Sequence, residues 1–133
     1  MNKGYKQLVA EANAVVETIP VVEALRRWHA SGAVFIDLRE APELQRDGMI
    51  PGAIHAPRGM LEFYADPDSP YHKDVFDSSQ PKLLYCAGGA RSALAAQRLQ
   101  EMGLTGIAHL GGGLKAWKDA GAPVWVPAAR VDA

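Results

Sequence analysis

The sequence predicts an α/β protein with a mostly parallel central sheet and helices on both of its faces. Three observations carry that expectation. The short continuous apolar runs "AVFIDL", "KLLYC" and "GIAHL" read as strands buried on both sides. Segments with apolar residues at helical spacing separate them, so strands and helices alternate along the chain. With 133 residues, 48% of them hydrophobic and 22% charged, the chain can bury one core without disulfide staples.

The elements follow in order. In "MNKGYKQLVAEANAVVETIP", Leu8, Val9, Ala12, Val15 and Val16 recur at helical spacing and predict a helix over residues 3–16. Pro20 suits the first turn of a second helix, "VVEALRRWHA", which Ser31 and Gly32 end. "AVFIDL" is the first buried strand, followed by a brief polar helix over residues 42–45, the turn "DGMIPG" and a short strand "AIHA". The stretch over residues 58–81 is the least regular: one helix over residues 59–64, then a Pro/Asp/Ser-rich excursion read as a solvated loop. "KLLYC" is the second strong strand, "SALAAQRLQEMG" a helix stopped by Gly103, and "GIAHL" a third strand. "GGGLKAWKDAG" supplies a glycine-rich turn and a last helix stopped by Gly121. Right-handed crossovers place every strand-to-helix loop at the carboxyl edge of the sheet, where ligand crevices form.

Composition excludes several classes of function. A formal net charge of −1 offers no surplus for nucleic acid or an anionic membrane, and no basic–aromatic groove is visible. One cysteine forms no internal disulfide, so a secreted scaffold is not expected. The N-terminal stretch lacks the apolar core and cleavage site of a signal peptide, and no apolar run spans a bilayer. The expectation is a cytoplasmic protein without a resident cofactor; the sequence assigns no oligomeric state.

The lone cysteine, Cys86, is the candidate for chemistry. It follows the strand "KLLY" and precedes a helix expected to start near Ser92, which puts it in a turn at the carboxyl edge. Gly88 and Gly89 allow consecutive N–H groups to curl inward as an anion-binding nest. The positive end of the following helix aims at the same point. Both favour a thiolate, the nucleophilic form of the side chain. A buried structural cysteine is the competing reading, but it leaves the two glycines and Arg91 unexplained. No second cysteine or histidine stands at ligand spacing, so no metal is expected there.

"CAGGARS" after an apolar strand resembles the active-site loop of single-domain rhodaneses, the sulfurtransferase family. "FIDLREAPELQRDGMIPGAIHAPRG" is similar to the upstream signature of that family and "GIAHLGGGLKAWKDAGAPV" to its closing stretch. The resemblance covers residues 19–124 and implies a rhodanese-like three-layer fold, with the N-terminal helix as an addition. We therefore expect an N-terminal helical extension over residues 1–18, a rhodanese domain over 19–127 and a C-terminal tail over 128–133. The family mechanism implies that Cys86 takes sulfur from a sulfane donor such as thiosulfate and holds it as a persulfide. The loop Ala87, Gly88, Gly89, Ala90 and Arg91 would cradle the added atom. An external acceptor (cyanide, a small thiol or the cysteine of another protein) would collect it, since no second cysteine exists in this chain.

Two other functions compete: a persulfide carrier or regulatory binding module with little turnover, and a phosphatase or arsenate reductase on the same fold. Four residues separate Cys86 from Arg91, whereas the related oxyanion enzymes use one more. The shorter loop suits one sulfur atom better than a tetrahedral oxyanion.

The remaining polar residues are weighed individually. Arg58, after "HAP" at a strand end, is a second candidate cation for an anionic donor. Asp37, Arg39 and Glu43 read as an ion-paired group locking the turn after the first strand, a role the resemblance also implies for Arg39 and Glu43. His55 is expected to satisfy local backbone groups, and His29, His72 and His109 to be surface or packing residues. Gly111 to Gly113 are expected to let the last helix pack closely, and Trp28, Trp117 and Trp125 to serve the core or its rim. Met49, where many relatives carry histidine, is expected to be structural.

Overall fold

The computed structural model describes residues 1–127; the expected tail at 128–133 lies outside the described residues. Five strands, β1 (Glu17–Ile19), β2 (Val34–Asp37), β3 (Ile54–His55), β4 (Lys82–Tyr85) and β5 (Ile107–Leu110), form one sheet in the order β1-β5-β4-β2-β3. Every pairing in it is parallel. The helices are α1 (Tyr5–Val15), α2 (Val21–His29), α3 (Ala41–Asp47), α4 (Leu61–Ala65), α5 (Ala90–Glu101) and α6 (Gly113–Asp119).

Alternation along the strands decides which helices cover which face. Ile36, Leu84 and Ile107 point to one side, where they meet Leu61 and Ala65 of α4 and Ala95, Ala96 and Leu99 of α5. Phe35, Leu83, Tyr85, Ala108 and Leu110 point to the other, against Ala24 of α2 and Leu114 and Trp117 of α6. Trp117 is fully buried, edge-on to Phe35 and Trp28, and its indole N–H donates to the Pro123 carbonyl at 2.7 Å. Helix α1 lies on α5, on the first of these faces. The three-layer α/β architecture expected from the sequence is the one observed.

The differences are local. Helical spacing extends the first predicted helix to residue 16, with no strand expected before Pro20. The chain instead leaves α1 at Val15 and adds β1 to the sheet edge, with Glu17, Thr18 and Ile19 opposite Ala108, His109 and Leu110. Three residues are too few to display a period of two, and the partner that makes them a strand lies far along the chain. The helix expected over residues 59–64 is a 3-10 turn, Arg58–Met60, running into α4. Met49 is buried and bridges to Trp125 through two backbone hydrogen bonds of 2.7 and 2.8 Å, a structural role as expected.

No helix among the described residues is long and apolar enough to cross a membrane.

Candidate active site

Strand β4 is the central strand of the sheet, and Cys86 is the first residue beyond its carboxyl end. The side chain is buried at 1% exposure. Its sulfur accepts hydrogen bonds from the Gly89 N–H at 3.2 Å and the Ser92 N–H at 3.4 Å, and stands 3.6 Å from the Ser92 hydroxyl. Gly89 occupies the left-handed region at φ 111 as the residue capping α5, which turns its amide onto the sulfur. The helix starts at Ala90, two residues before the expected Ser92, so Ala90 and Arg91 belong to its first turn. The sulfur therefore lies at the positive end of a helix of 12 residues.

A second element holds the loop from behind. The first amides of α6 donate to it, Leu114 N–H to the Cys86 carbonyl at 2.9 Å and Lys115 N–H to the Ala87 carbonyl at 3.1 Å. Gly113 makes this approach feasible: a Cβ there would sit 2.5 Å from the Ala87 oxygen and 2.6 Å from the Cys86 oxygen. The glycine triplet is thus a packing device, directed at the cysteine loop itself.

The polar residues sort themselves by partner. Asp37 and Arg39 form a fully buried ion pair at 2.8 Å, and Arg39 also donates to the Gly48 carbonyl at 2.6 Å. Burial opposes the charge of Arg39, but the Asp37 carboxylate more than offsets it and raises the guanidinium pKa. Glu43 does not join that pair. It reaches across to Arg91 and accepts two hydrogen bonds of 2.9 and 2.8 Å from its guanidinium. That contact pulls the Glu43 carboxyl down to about 2. Arg91 is thereby tied to α3 as well as to the loop. Arg58 is held by Glu62 at 2.8 Å and lines a cleft with Leu8, Leu94, Gln97 and Arg98, away from Cys86. His55 Nε2 meets the Arg39 carbonyl at 2.6 Å, the local backbone role expected of it.

Three site residues escaped the sequence reading. His109 was expected to be a surface or packing residue; it is buried, with Nδ1 2.9 Å from the Ser92 hydroxyl. Its Nε2 lies 2.9 Å from Asn13 Oδ1 and 3.0 Å from Thr18 Oγ1. Its burial holds the imidazole below the ordinary histidine pKa. Lys115 and Lys118 of α6 join Arg39, Asp47 and Leu114 around a cleft of about 200 Å³ whose floor includes Ala87. A strand over "GIAHL" places His109 on one face of the sheet, but only the folded sheet shows that Ser92 and Asn13 share it. His72, likewise read as a surface or packing residue, bonds Asp77 at 2.7 Å, which raises its pKa.

On its other side the loop borders a cleft of about 350 Å³, lined by Gly88, Gly89, Ala90, His109, Asn13 and Thr18 among others. The cysteine loop thus separates a basic cleft from a nearly neutral one.

This combination of a parallel five-stranded sheet and a cysteine loop at the centre of its carboxyl edge defines a class, and comparison with known proteins gives the class its name. The rhodanese-like domain model matches residues 21–120, and the chain belongs to that family. It is 31% identical over 94 residues to a sulfurtransferase of Allochromatium vinosum, covering 71% of this chain and 79% of that one. A match to an uncharacterized protein of Synechocystis sp. is 54% identical over 41 residues but covers 31% of this chain and only 23% of the relative. Among solved structures, a protein of unknown function from Rhodopseudomonas palustris, described as a possible tyrosine phosphatase, is 46% identical. It superposes with a TM-score of 0.90 over 94% of this chain and 96% of that one. The homodimeric polysulfide-sulfur transferase of Wolinella succinogenes is 25% identical, with a TM-score of 0.70 over 96% of this chain and 90% of that one.

Proposed function

We propose that this rhodanese-family protein is a cytoplasmic sulfurtransferase that carries sulfur as a persulfide on Cys86. The observation that carries the reading is the pair of backbone amides, Gly89 and Ser92, on a sulfur at the end of α5. Donors so placed stabilise negative charge on that sulfur. With thiosulfate as donor, the Cys86 thiolate attacks the outer sulfur, the sulfur–sulfur bond of thiosulfate breaks, and sulfite leaves with the electron pair. The product is Cys86–S–S⁻. Cyanide or a thiolate then attacks the terminal sulfur, and the Cys86 thiolate is released. In this reading Ala87, Gly88, Gly89, Ala90 and Arg91 shape the space for the added atom. Lys118 draws an anionic donor toward Ala87, while Lys115 beside it is held by Asp119 at 2.7 Å. Arg58, paired with Glu62 at another cleft, takes no part.

The depth of the sulfur favours a slim reacting atom, as a terminal sulfane sulfur is. A phosphate ester on the same loop would need an arginine free to clamp a tetrahedral oxyanion, and Arg91 is engaged by Glu43 at both terminal nitrogens. Intact-protein mass after incubation with thiosulfate tests the proposal. One added sulfur per chain, removed by cyanide, is the expected result; an unchanged mass together with release of phosphate from an aryl phosphate would replace it with the phosphatase reading.

A further inference from the structure

A line of hydrogen-bonding groups runs from the reacting sulfur to the helix that precedes the family match. Cys86 Sγ stands 3.6 Å from Ser92 Oγ, and Ser92 Oγ stands 2.9 Å from His109 Nδ1. His109 Nε2 stands 2.9 Å from Asn13 Oδ1 of α1. The amide oxygen of Asn13 only accepts, so Nε2 carries a hydrogen, and in the neutral ring Nδ1 is the acceptor. The Ser92 hydroxyl has two acceptors in reach, the Gly89 carbonyl at 3.3 Å and Nδ1 at 2.9 Å; donating to the nearer Nδ1, it leaves its lone pairs to the Cys86 thiol.

We propose that His109, acting through Ser92, receives and keeps the proton that Cys86 gives up when its thiolate forms. The step balances as one proton moved in two hops. The Cys86 S–H proton passes to Ser92 Oγ while the Ser92 hydroxyl proton passes to His109 Nδ1. Afterwards the imidazolium donates through Nδ1 to Ser92, and the renewed Ser92 hydroxyl donates to the sulfur anion. The same serine that accepted from the thiol now stabilises the thiolate. His109 is a positioning residue in this scheme, since it reaches the sulfur only through Ser92.

The surroundings of the ring make the two charges interdependent. From α1 it faces Asn13, from β1 Thr18, from α5 Ser92 and, beyond that serine, Cys86; among these only Cys86 ionises. Burial resists a lone imidazolium, and no charged group among the described residues offsets that resistance. A proton on His109 is therefore tolerable when the sulfur is negative and costly when it is neutral. The ring also lines the cleft of about 350 Å³, which gives the proton a way out once sulfur has been transferred.

The inference deepens the sulfur-transfer reading and rests on it for its purpose, but its test needs no sulfur donor. Cys86 alkylation by iodoacetamide is followed across pH in the unaltered protein, His109→Asn and Ser92→Ala. Asparagine offers an amide near the Nδ1 position and satisfies a merely structural role, yet cannot hold the proton. We expect alkylation below pH 7 to slow about tenfold in His109→Asn, because the thiolate loses the group that takes its proton. Ser92→Ala should slow it similarly, and the double variant no further than either single one. Ring-nitrogen chemical shifts of the unaltered protein give a second readout that survives a folding defect in the variants. His109 should be doubly protonated near neutral pH and revert to the neutral ring once Cys86 is capped with methyl methanethiosulfonate. A neutral His109 in both states, or an unaltered alkylation profile in His109→Asn, overturns the inference. A protein that passes these tests but gains no sulfur from thiosulfate would instead count against the transfer reading alone.

Discussion

Glu43 of α3 holds Arg91 of α5 by two hydrogen bonds of 2.9 and 2.8 Å, across 48 residues of sequence. The loop arginine is thus a brace between two helices before it is anything else. Replacing Glu43 by Gln removes the ionic half of this brace, and we expect a loss of about 1–2 kcal/mol, modest because Arg91 remains partly in water. The freed guanidinium should meanwhile lower the KM for thiosulfate. Denaturant titration and saturation kinetics read the two effects separately, and a higher KM with unchanged stability would contradict both.

The same contact sets an acid limit. Glu43 is held at about 2 in the folded chain against an ordinary 4.5. The folded state thus binds its proton less readily than the unfolded one. The stability it contributes is complete above pH 4.5 and disappears as pH falls toward 2. Thermal unfolding of the unaltered protein and Glu43→Gln should therefore differ at pH 6 and converge near pH 2. Parallel curves over that range would show that the carboxylate does little.

Gly113 offers a steric test of the loop. A Cβ there meets the Ala87 and Cys86 carbonyls at 2.5 and 2.6 Å, and the residue also sits at φ 62. Both obstacles are backbone, which cannot swing aside. Gly113→Ala should cost roughly 2–4 kcal/mol and slow sulfur transfer by displacing the loop from α6. A melting temperature equal to that of the unaltered protein would mean that α6 moves freely.

Charge at the basic cleft should act on donor affinity. Lys118 is exposed beside Ala87, and Lys118→Ala should raise the KM for thiosulfate about two- to fivefold with little change in kcat. The difference should shrink as salt rises, because the screening length falls to about 8 Å at physiological ionic strength. An effect on kcat alone would place the donor elsewhere.

Cys86→Ser keeps the size of the side chain and its amide partners, so folding should be preserved within about 1 kcal/mol. Sulfur uptake from thiosulfate should vanish. Residual uptake measured by intact mass would remove Cys86 from the mechanism.

Much of the architecture was legible because its signals are local. Continuous apolar runs marked β2, β4 and β5; Gly103 marked the end of α5, though the helix starts two residues before the expected position; and the cysteine loop announced its position between strand and helix. Asp37 and Arg39, two residues apart, could be read as a pair from their spacing. The strand β1 was not legible, for its three residues become a strand only by lying against Ala108, His109 and Leu110. His109 itself gave no sign of a role, since its partners Asn13 and Thr18 lie 96 and 91 residues away.

The chain by itself determined the sheet, its parallel sense, and a lone thiol at the carboxyl edge before two glycines. Those features follow from periodicity and turn chemistry within a few neighbouring residues. Tertiary structure alone decided that Arg91 answers to Glu43, that α6 supports the loop through Gly113, and that His109 stands behind Ser92. Each of these joins groups remote in sequence. Hydrogen bonds and ion pairs act over a few ångströms, and only the closed fold sets those distances.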